Sequence, residues 1–280
     1  MARPWAVILG ASSGFGAACG AELARSGFDI FGVHLDRRST QDLVAAARTG
    51  IEAAGGRAVF FNVNAASDEA RAEVVAAIEK EVASQKEVGI QKEVASPGAG
   101  SAARSPVPML IHSLAFGALK SFASDNPEEN LTRAQFEMTL DVMANSLVYW
   151  SRDLVMRGLL GAGGRIFAMT SSGGTRVWPS YGAVSAAKAA LESHCRQLAL
   201  ELAPRGIAVN AVRAGVTDTP ALRKIPGNEK MIELAKARNP SGRLTTPEDV
   251  AKLLALLADP RAAWLTGNTL GVDGGEDIVG

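Results

Sequence analysis

Residues 5–16 read WAVILGASSGFG, an apolar run that passes directly into the glycines Gly10, Gly14 and Gly16. A short apolar run followed by such a turn predicts a buried β-strand that leads into a helix. Glycines let the backbone turn tightly and approach a ligand, and the free N–H groups of a helix N-terminus bind a pyrophosphate. The stretch therefore predicts a dinucleotide site, with a plain structural turn as the alternative. The residues predicted to form it are Gly10, Ser12, Ser13, Gly14, Phe15 and Gly16.

Apolar runs alternate with segments of helical periodicity along the rest of the chain, a pattern typical of β–α–β units. We expect a doubly wound, seven-stranded parallel sheet of Rossmann-like α/β type, formed by one domain over residues 1–280. Such sheets bind their ligands at the carboxyl ends of the strands. The strands are predicted at 5–10, 28–34, 57–62, 107–112, 164–170, 206–212 and 268–272. The helices are predicted at about 15–26, 40–54, 68–83, 132–157, 181–203 and 247–258.

Two segments interrupt this alternation. Residues 84–105 combine lysine–glutamate repeats with a run rich in glycine, serine and proline, which indicates a charged helix extension followed by a flexible surface insertion. A partner-binding insertion is the alternative. Residues 213–246 form a long, proline-containing connection before the last helix, and loops of that length commonly act as lids. We expect a substrate lid there.

The composition excludes several classes of protein. Charged residues make up 21% of the chain, and 29 basic side chains balance 29 acidic ones, so no net charge favours nucleic acid or an anionic membrane. Aromatic residues, at 5%, leave few platforms for stacking bases. Since no apolar run approaches the roughly 18 residues that span a bilayer and no signal sequence is evident, we expect a soluble, cytoplasmic protein. Cys19 and Cys195 are too few for a disulfide framework or a metal site and are predicted to be buried thiols.

The glycine spacing G-x-x-x-G-x-G resembles that of the short-chain dehydrogenase/reductase superfamily, and the likeness covers nearly the whole chain outside residues 84–105. The run Gly271-Val-Asp-Gly-Gly275 matches the usual ending of that superfamily's last strand. The resemblance implies that Asn62 and Val63 contact an adenine ring and that Asn145 lies in the active site.

The choice of cofactor depends on the end of the second predicted strand, which reads His34-Leu-Asp36-Arg37-Arg38. A carboxylate here would hold the ribose diol of NADH, whereas a basic group would hold the 2′-phosphate of NADPH. In NAD-dependent relatives the acidic residue matches His34, and Asp36 comes two positions later. Because Arg37 and Arg38 can then reach a phosphate, we expect NADPH to be preferred, with NADH as the alternative.

A tyrosine and a lysine at an unusual spacing follow the fifth predicted strand. Tyr181 precedes Lys188 by seven residues, whereas the common superfamily pattern, Tyr-x-x-x-Lys, would need a tyrosine where Val184 stands. Seven residues at about 100° each return Tyr181 to the helix face of Lys188, roughly 4.5 Å further toward the N-terminus than the common site. We predict that both side chains point into one pocket.

The displacement of the tyrosine bears on which reaction the site can catalyse. In ketone reduction the hydride goes to the carbonyl carbon, so the proton donor and the nicotinamide meet at adjacent atoms. In an enoyl thioester the hydride goes to C3 while charge develops on the carbonyl oxygen, two carbons away, so the donor must stand further from the nicotinamide. A tyrosine shifted along the helix fits the second geometry better.

Tyr-x6-Lys is also the pattern of the enoyl-[acyl-carrier-protein] reductases within the superfamily. The runs His112-Ser-Leu-Ala-Phe116 and Ala214-Gly215 resemble the same branch, and residues 218–243 are similar to the lid of its NADPH-dependent variety from bacilli. The resemblance implies reduction of the C2–C3 double bond of acyl-carrier-protein or coenzyme A thioesters in fatty-acid elongation. It also implies a homotetramer formed through the helices at 132–157 and 181–203.

The resemblance further implies roles for single residues. Tyr181 would donate a hydrogen bond to the thioester carbonyl, while Lys188 would hold the nicotinamide ribose and support the charge; Ser171 and Asn145 complete the candidate catalytic set. Cofactor contacts are implied for Leu114, Gly215, Thr217 and Thr219, and contacts with the acyl chain for Ala115 and Phe116.

Two other functions stay open. A carbonyl reductase of the same superfamily, acting on 3-oxoacyl or sterol-type ketones, would use the same side chains. A dinucleotide sensor without turnover would need the glycine turn and no proton donor, so the intact tyrosine and lysine argue against it. His112 and His194 are predicted to be structural residues.

Overall fold

The first strand, β1 (Trp5–Leu9), is buried along its whole length. Trp5, Val7 and Leu9 pack into the core on one face of the sheet, whereas Ala6 and Ile8 pack into the core on the other. Successive side chains of a strand point to opposite faces, so an entirely apolar strand needs helices on both sides.

The computed structural model of the protein describes residues 3–90 and 105–279. In this part of the chain seven parallel strands pair in the order β3-β2-β1-β4-β5-β6-β7. The other strands are β2 (Asp29–His34), β3 (Ala58–Asn62), β4 (Met109–His112), β5 (Arg165–Ser171), β6 (Ala208–Ala214) and β7 (Thr269–Val272). The predicted doubly wound, Rossmann-like sheet is confirmed. The strand order reverses between β1 and β4, which places a ligand crevice at the carboxyl ends of these strands.

Helices cover both faces of the sheet. Those on one face are α1, α2 and α8, and the apolar side chains of α3, α5 and α6 pack on the other. The helices are α1 (Gly14–Arg25), α2 (Gln41–Ala53), α3 (Asp68–Ile90), α4 (Arg133–Leu140), α5 (Ser146–Met156), α6 (Gly182–Leu202), α7 (Asn228–Arg238) and α8 (Pro247–Leu257). None of the helices in the described ranges is both long and apolar enough to cross a membrane.

The structure corrects two of the predicted helices and one predicted loop. The helix expected over 132–157 is divided by a π-helical turn, Asp141–Asn145, between α4 and α5. The helix expected over 68–83 continues to Ile90, and the rest of the 84–105 insertion, residues 91–104, lies outside the described residues. The connection 213–246 was expected to be a loop, which is wrong for α7. Its only buried residue is Ala235, so the segment has no apolar stripe that would reveal a helix.

Both cysteines are free and buried, as predicted. Cys19 lies in α1 and Cys195 in α6, on opposite sides of the sheet. Burial raises the pKa of each thiol to about 12, so both stay protonated at neutral pH. They are packing residues.

Candidate active site

The glycine turn after β1 forms a cradle with no room for side chains. A Cβ on Gly10, where φ is +86°, would collide with the carbonyl oxygen of Ser113, and a Cβ on Gly16 would collide with the carbonyl oxygen of Gly10. Ser13 caps α1 in an extended conformation, and its side chain makes no capping hydrogen bond. The first N–H groups of α1 therefore face the crevice and fit a pyrophosphate.

The end of β2 holds a carboxylate against this cradle. His34 Nδ1 donates to Asp36 Oδ2 at 2.9 Å, and the Asn62 side chain exchanges hydrogen bonds with the Asp36 backbone at 2.9 and 3.0 Å. Burial raises the pKa of Asp36, but hydrogen bonds from Ser12, Thr40 and His34 outweigh it and leave the pKa below its usual value. Asp36 is thus an ionised acceptor beside Ser12 of the glycine turn.

Arg37 and Arg38 are exposed, and neither forms an ion pair within the described ranges. Both arginines follow Asp36 directly in the chain. The segment after β2 therefore carries one acidic and two basic groups in three consecutive positions. The prediction of NADPH weighed Asp36 only by its position in the sequence, and the hydrogen bonds that hold this carboxylate are added by the structure.

Tyr181 lies at the N-cap of α6 rather than in its first turn, so the predicted helix start was early by one residue. The preceding Ser180 adopts φ +60°, a conformation that non-glycine residues rarely take. The Tyr181 ring packs over Gly173, where an added Cβ would lie 2.6 Å from Cε1 of the ring and 3.2 Å from Ser171 Oγ. The structure thus brings Tyr181 and Ser171 to the same glycine, and the Ser171 hydroxyl makes no hydrogen bond within the described residues.

The Tyr181 phenol keeps its proton at neutral pH. Burial raises its pKa, and the nearby Ser171 hydroxyl only partly offsets that rise. A half-buried, protonated phenol can donate a hydrogen bond to a negative charge that develops nearby.

Lys188 is buried one turn and a half into α6, and its Nζ donates to the carbonyl oxygen of Met169 in β5 at 2.6 Å. An ammonium has three donors, so two remain for other partners. Burial lowers the pKa of Lys188 to about 8, against the opposing effect of Glu192 and Cys195. A Cβ on Gly174 would lie 3.6 Å from Lys188 Cβ, so Tyr181 and Lys188 flank the same pair of glycines, Gly173 and Gly174.

Asn145 is the last residue of the π-helical turn, and its side chain has partners other than Tyr181 and Lys188. His194 Nε2 donates to Asn145 Oδ1 at 3.1 Å, and Asp141 also contacts the Asn145 side chain. Within the described ranges the Asn145 side chain makes no hydrogen bond to Tyr181 or Lys188. His194 was predicted to be a structural residue, but the sequence did not reveal that its partner is Asn145.

His112 is buried in β4 in a fixed tautomer. The Ser146 hydroxyl donates to Val142 O at 2.8 Å, so its oxygen accepts from His112 Nε2 at 2.9 Å. Burial, reinforced by the nearby Lys188 charge, lowers the pKa of His112 to about 3. A neutral imidazole tied to the π-turn supports the structural role predicted for it.

The loop after β6 reaches the glycine cradle from the other side. Thr219 is buried, and its methyl group would lie 3.5 Å from a Cβ on Gly14. The Thr217 hydroxyl donates to Gly215 O at 2.9 Å, which fixes the turn between them. Thr219 therefore packs against the glycine turn, and Gly215 and Thr217 belong to the same loop; their contacts with a cofactor stay predictions.

The β4 loop forms the wall beside Tyr181. Leu114 is half-buried next to Gly10, whereas Ala115 and Phe116 are exposed at the mouth. Sequence reasoning missed Phe122, whose ring occupies the space above Gly182, 2.5 Å from an added Cβ. Phe122 also packs edge-on against Phe136 of α4 and is 61% exposed, so it offers an apolar surface next to the phenol.

This arrangement combines a dinucleotide cradle, a protonated phenol and a buried ammonium along one edge of the sheet. The phenol and the ammonium can stabilise an oxyanion that forms when a hydride is delivered nearby. Such chemistry is that of a nicotinamide-dependent reduction.

Comparison with known proteins agrees with this geometry. The family described as Enoyl-(Acyl carrier protein) reductase matches residues 52–276, and the short chain dehydrogenase family matches residues 4–90. The first match alone spans well over half of the chain.

Individual relatives point the same way. The chain is 36% identical over 172 residues to the enoyl-[acyl-carrier-protein] reductase [NADH] FabI of a Nostoc species, a match that spans 61% of this chain and 65% of that enzyme. It is 32% identical over 279 residues to 1-cyclohexenylcarbonyl-CoA reductase of Streptomyces collinus, covering 99% of this chain and 88% of that enzyme. A solved short chain dehydrogenase from Burkholderia cenocepacia in complex with NADP has a TM-score of 0.76 at 26% identity, covering 99% of this chain and 98% of that one.

Proposed function

The chain belongs to the Enoyl-(Acyl carrier protein) reductase family of short-chain dehydrogenases, and we propose that it reduces the C2–C3 double bond of an enoyl thioester. The observation that carries the proposal is the position of Tyr181, held at the N-cap of α6 by the Ser180 turn and seven residues before Lys188. The seven-residue spacing displaces Tyr181 from the common Tyr-x-x-x-Lys site, and we expect the phenol to stand further from a bound nicotinamide, as an enolate oxygen requires.

The reaction follows from the protonation states of the two side chains. The nicotinamide dinucleotide supplies the hydride. The Tyr181 hydroxyl donates a hydrogen bond to the thioester carbonyl and so stabilises the charge that develops on that oxygen. Lys188, buried and bonded to Met169 O, holds the ribose hydroxyls with its free donors, and its positive charge supports the same oxyanion. Leu114 and Phe116 would present apolar surface to a bound substrate.

For the cofactor, the fixed carboxylate of Asp36 favours NADH. An ionised acceptor beside Ser12 can take hydrogen bonds from a ribose diol, whereas a 2′-phosphate would meet its negative charge. Arg37 and Arg38 are exposed and oppose this repulsion only through solvent. NADPH is the alternative, and the two arginines are what would support it.

The substrate is a thioester of an acyl-carrier protein or of coenzyme A. A straight-chain enoyl group is the first candidate, because FabI is an enoyl-[acyl-carrier-protein] reductase. A cyclic 1-enecarbonyl group is the second, because the relative that matches along almost the whole chain is named for it. The exposed rings of Phe116 and Phe122 at the mouth would contact either group.

One experiment separates these functions. The absorbance of NADH, and then of NADPH, is followed with crotonyl, 1-cyclohexenylcarbonyl and acetoacetyl thioesters of coenzyme A and of carrier protein. Oxidation with an enoyl thioester supports the proposal, and the faster acyl group and carrier define the substrate. Oxidation with acetoacetyl thioester alone would instead make the chain a carbonyl reductase. Dinucleotide binding without any oxidation would indicate a sensor.

A further inference from the structure

The C-terminal turn, Asp273–Ile278, carries a buried carboxylate that none of the predicted site residues explains. Glu276 is 7% exposed, and its Oε2 accepts a hydrogen bond from the Val216 N–H at 3.0 Å. Val216 lies between Gly215 and Thr217 in the loop that follows β6. We propose that Glu276 is a positioning residue for the dinucleotide: its carboxylate fixes the backbone of Gly215–Thr219 in the conformation that binds the cofactor. This inference rests on the proposed function.

The loop after β6 packs closely against the C-terminal turn at Gly215 and Val216. A Cβ on Gly215 would lie 2.9 Å from Glu276 Oε2 and 3.0 Å from Asp273 Cα, and it would collide with the Thr245 hydroxyl. Gly215 N–H donates to Val272 O at 3.1 Å, so β7 holds the loop from the same side. The backbone of Gly215 and Val216 therefore rests directly on the C-terminal turn.

The turn itself is rigid. Asp273 accepts hydrogen bonds from the N–H groups of Gly275 and Asp277, at 3.0 and 3.2 Å, and Gly275 adopts φ +87°. Asp277 pairs with Arg176 at 2.9 Å and with Arg213 of β6 at 3.0 Å. Glu276 is thus held by a turn that is anchored both to the sheet and to the segment leading to Tyr181.

Loss of the carboxylate would leave the Val216 N–H without a partner in a buried place, and a buried unpaired donor is unfavourable. The loop would then move toward another acceptor, away from the arrangement in which Thr217 and Thr219 line the crevice. A glutamine keeps an acceptor oxygen at the same position. The groups that face the Glu276 carboxylate are Asp273, Arg176 and Arg238, so the glutamine variant also reports how much its charge matters.

The test compares Glu276→Ala and Glu276→Gln with the control Glu73→Gln, which changes an exposed carboxylate on α3. We measure the dissociation constants of NADH and NADPH by fluorescence titration, the KM for enoyl thioester, and Tm. Glu276→Ala is expected to weaken dinucleotide binding by about tenfold, with the thioester KM unchanged. Glu276→Gln is expected to restore binding to within about threefold of the unmodified chain, and Glu73→Gln to bind as that chain does.

Unchanged dinucleotide binding in a folded Glu276→Ala variant would overturn the inference. The inference would also be overturned if Glu276→Ala and Glu276→Gln lost dinucleotide affinity equally and in proportion to their loss of Tm. That result would show that Glu276 is needed only for folding. Binding is measured without turnover, so this failure is distinct from that of the proposed function. The latter fails if the unmodified chain binds dinucleotide but oxidises none with enoyl thioesters.

Discussion

Replacing Lys188 with methionine should stabilise the fold at neutral pH while it removes activity. Burial lowers the pKa of Lys188 from 10.5 to about 8. Each unit of pKa shift corresponds to about 1.4 kcal/mol. Below pH 8 the charged lysine is therefore less favourable in the folded chain than in the unfolded one, and it lowers the free energy of unfolding by about 3 kcal/mol. A methionine at position 188 cannot donate the hydrogen bond that Lys188 makes to Met169 O, which contributes about 1 kcal/mol. The variant should therefore gain about 2 kcal/mol at pH 7, or roughly 5 °C in Tm.

The sign of this gain depends on pH. Between pH 8 and 10.5 the unfolded chain keeps the lysine proton that the folded chain has lost, so the unmodified protein becomes more stable as pH rises. Above that window the ammonium no longer costs stability, and the unmodified protein should be the more stable by about 1 kcal/mol. Two buried groups near Lys188 do not change charge in this window, because the pKa of the Cys195 thiol is about 12 and that of His112 is about 3.

Urea unfolding at pH 7, 8, 9 and 10.5 measures the difference directly. Taking the difference between the two proteins cancels all other titrations. Lys252→Met, on the exposed side of α8, is the control for replacing a lysine outside the buried site. A Lys188→Met variant that is less stable at pH 7, or whose gap stays constant to pH 10.5, would refute the reasoning.

Three further outcomes are expected. Tyr181→Phe should lower turnover by at least about a hundredfold and leave the dissociation constant of the dinucleotide unchanged; equal turnover would remove the phenol from the reaction. Asp36→Asn should shift the ratio of NADPH to NADH affinity toward NADPH by about tenfold in titrations, and an unchanged ratio would contradict the role of Asp36. The double variant Arg37→Ala with Arg38→Ala should leave NADH binding intact. Ser180→Gly should raise the free energy of unfolding by about 1 kcal/mol in urea, because glycine adopts φ +60° without strain; a destabilised variant would contradict the strain at this turn.

The glycine turn and the alternation of strands and helices were enough to predict the fold, because both are local. WAVILG is apolar at every position, so it could only be a strand covered on both faces, and the spacing of Gly10, Gly14 and Gly16 gave the superfamily. The family match confirms that resemblance. Helix α7 was missed because its surface is polar nearly all round, and its ends are set by tertiary contacts.

The parts of the site that could not be predicted depend on contacts between distant segments. The pairing of Asn145 with His194 joins residues 49 positions apart across a helix interface. The contact of Glu276 with Val216 spans 60 positions. Neither contact joins residues of one periodic sequence pattern. Glu276 is charged, and charged residues are usually exposed. Only the packing of the C-terminal turn against the β6 loop makes Glu276 a buried acceptor.

The position of the phenol is set by a turn and not by the helix. The prediction that Tyr181 shares a face with Lys188 assumed that both belong to α6, yet Tyr181 precedes the helix and its N–H donates to Trp178 O at 3.1 Å. The ring is therefore placed by the residues before it. Trp178 in turn donates its indole N–H to Pro226 O at 2.9 Å, and Arg176 is held by Asp277.

These anchors connect the phenol to both the predicted lid and the C-terminal turn. A movement of residues 213–246 that broke the bond to Pro226 would release Trp178, and with it the backbone acceptor of Tyr181. The backbone position of Tyr181 therefore depends on the contact between Trp178 and Pro226. It follows that Trp178→Phe, which keeps the ring but loses the N–H, should lower kcat more than it raises the KM for thioester.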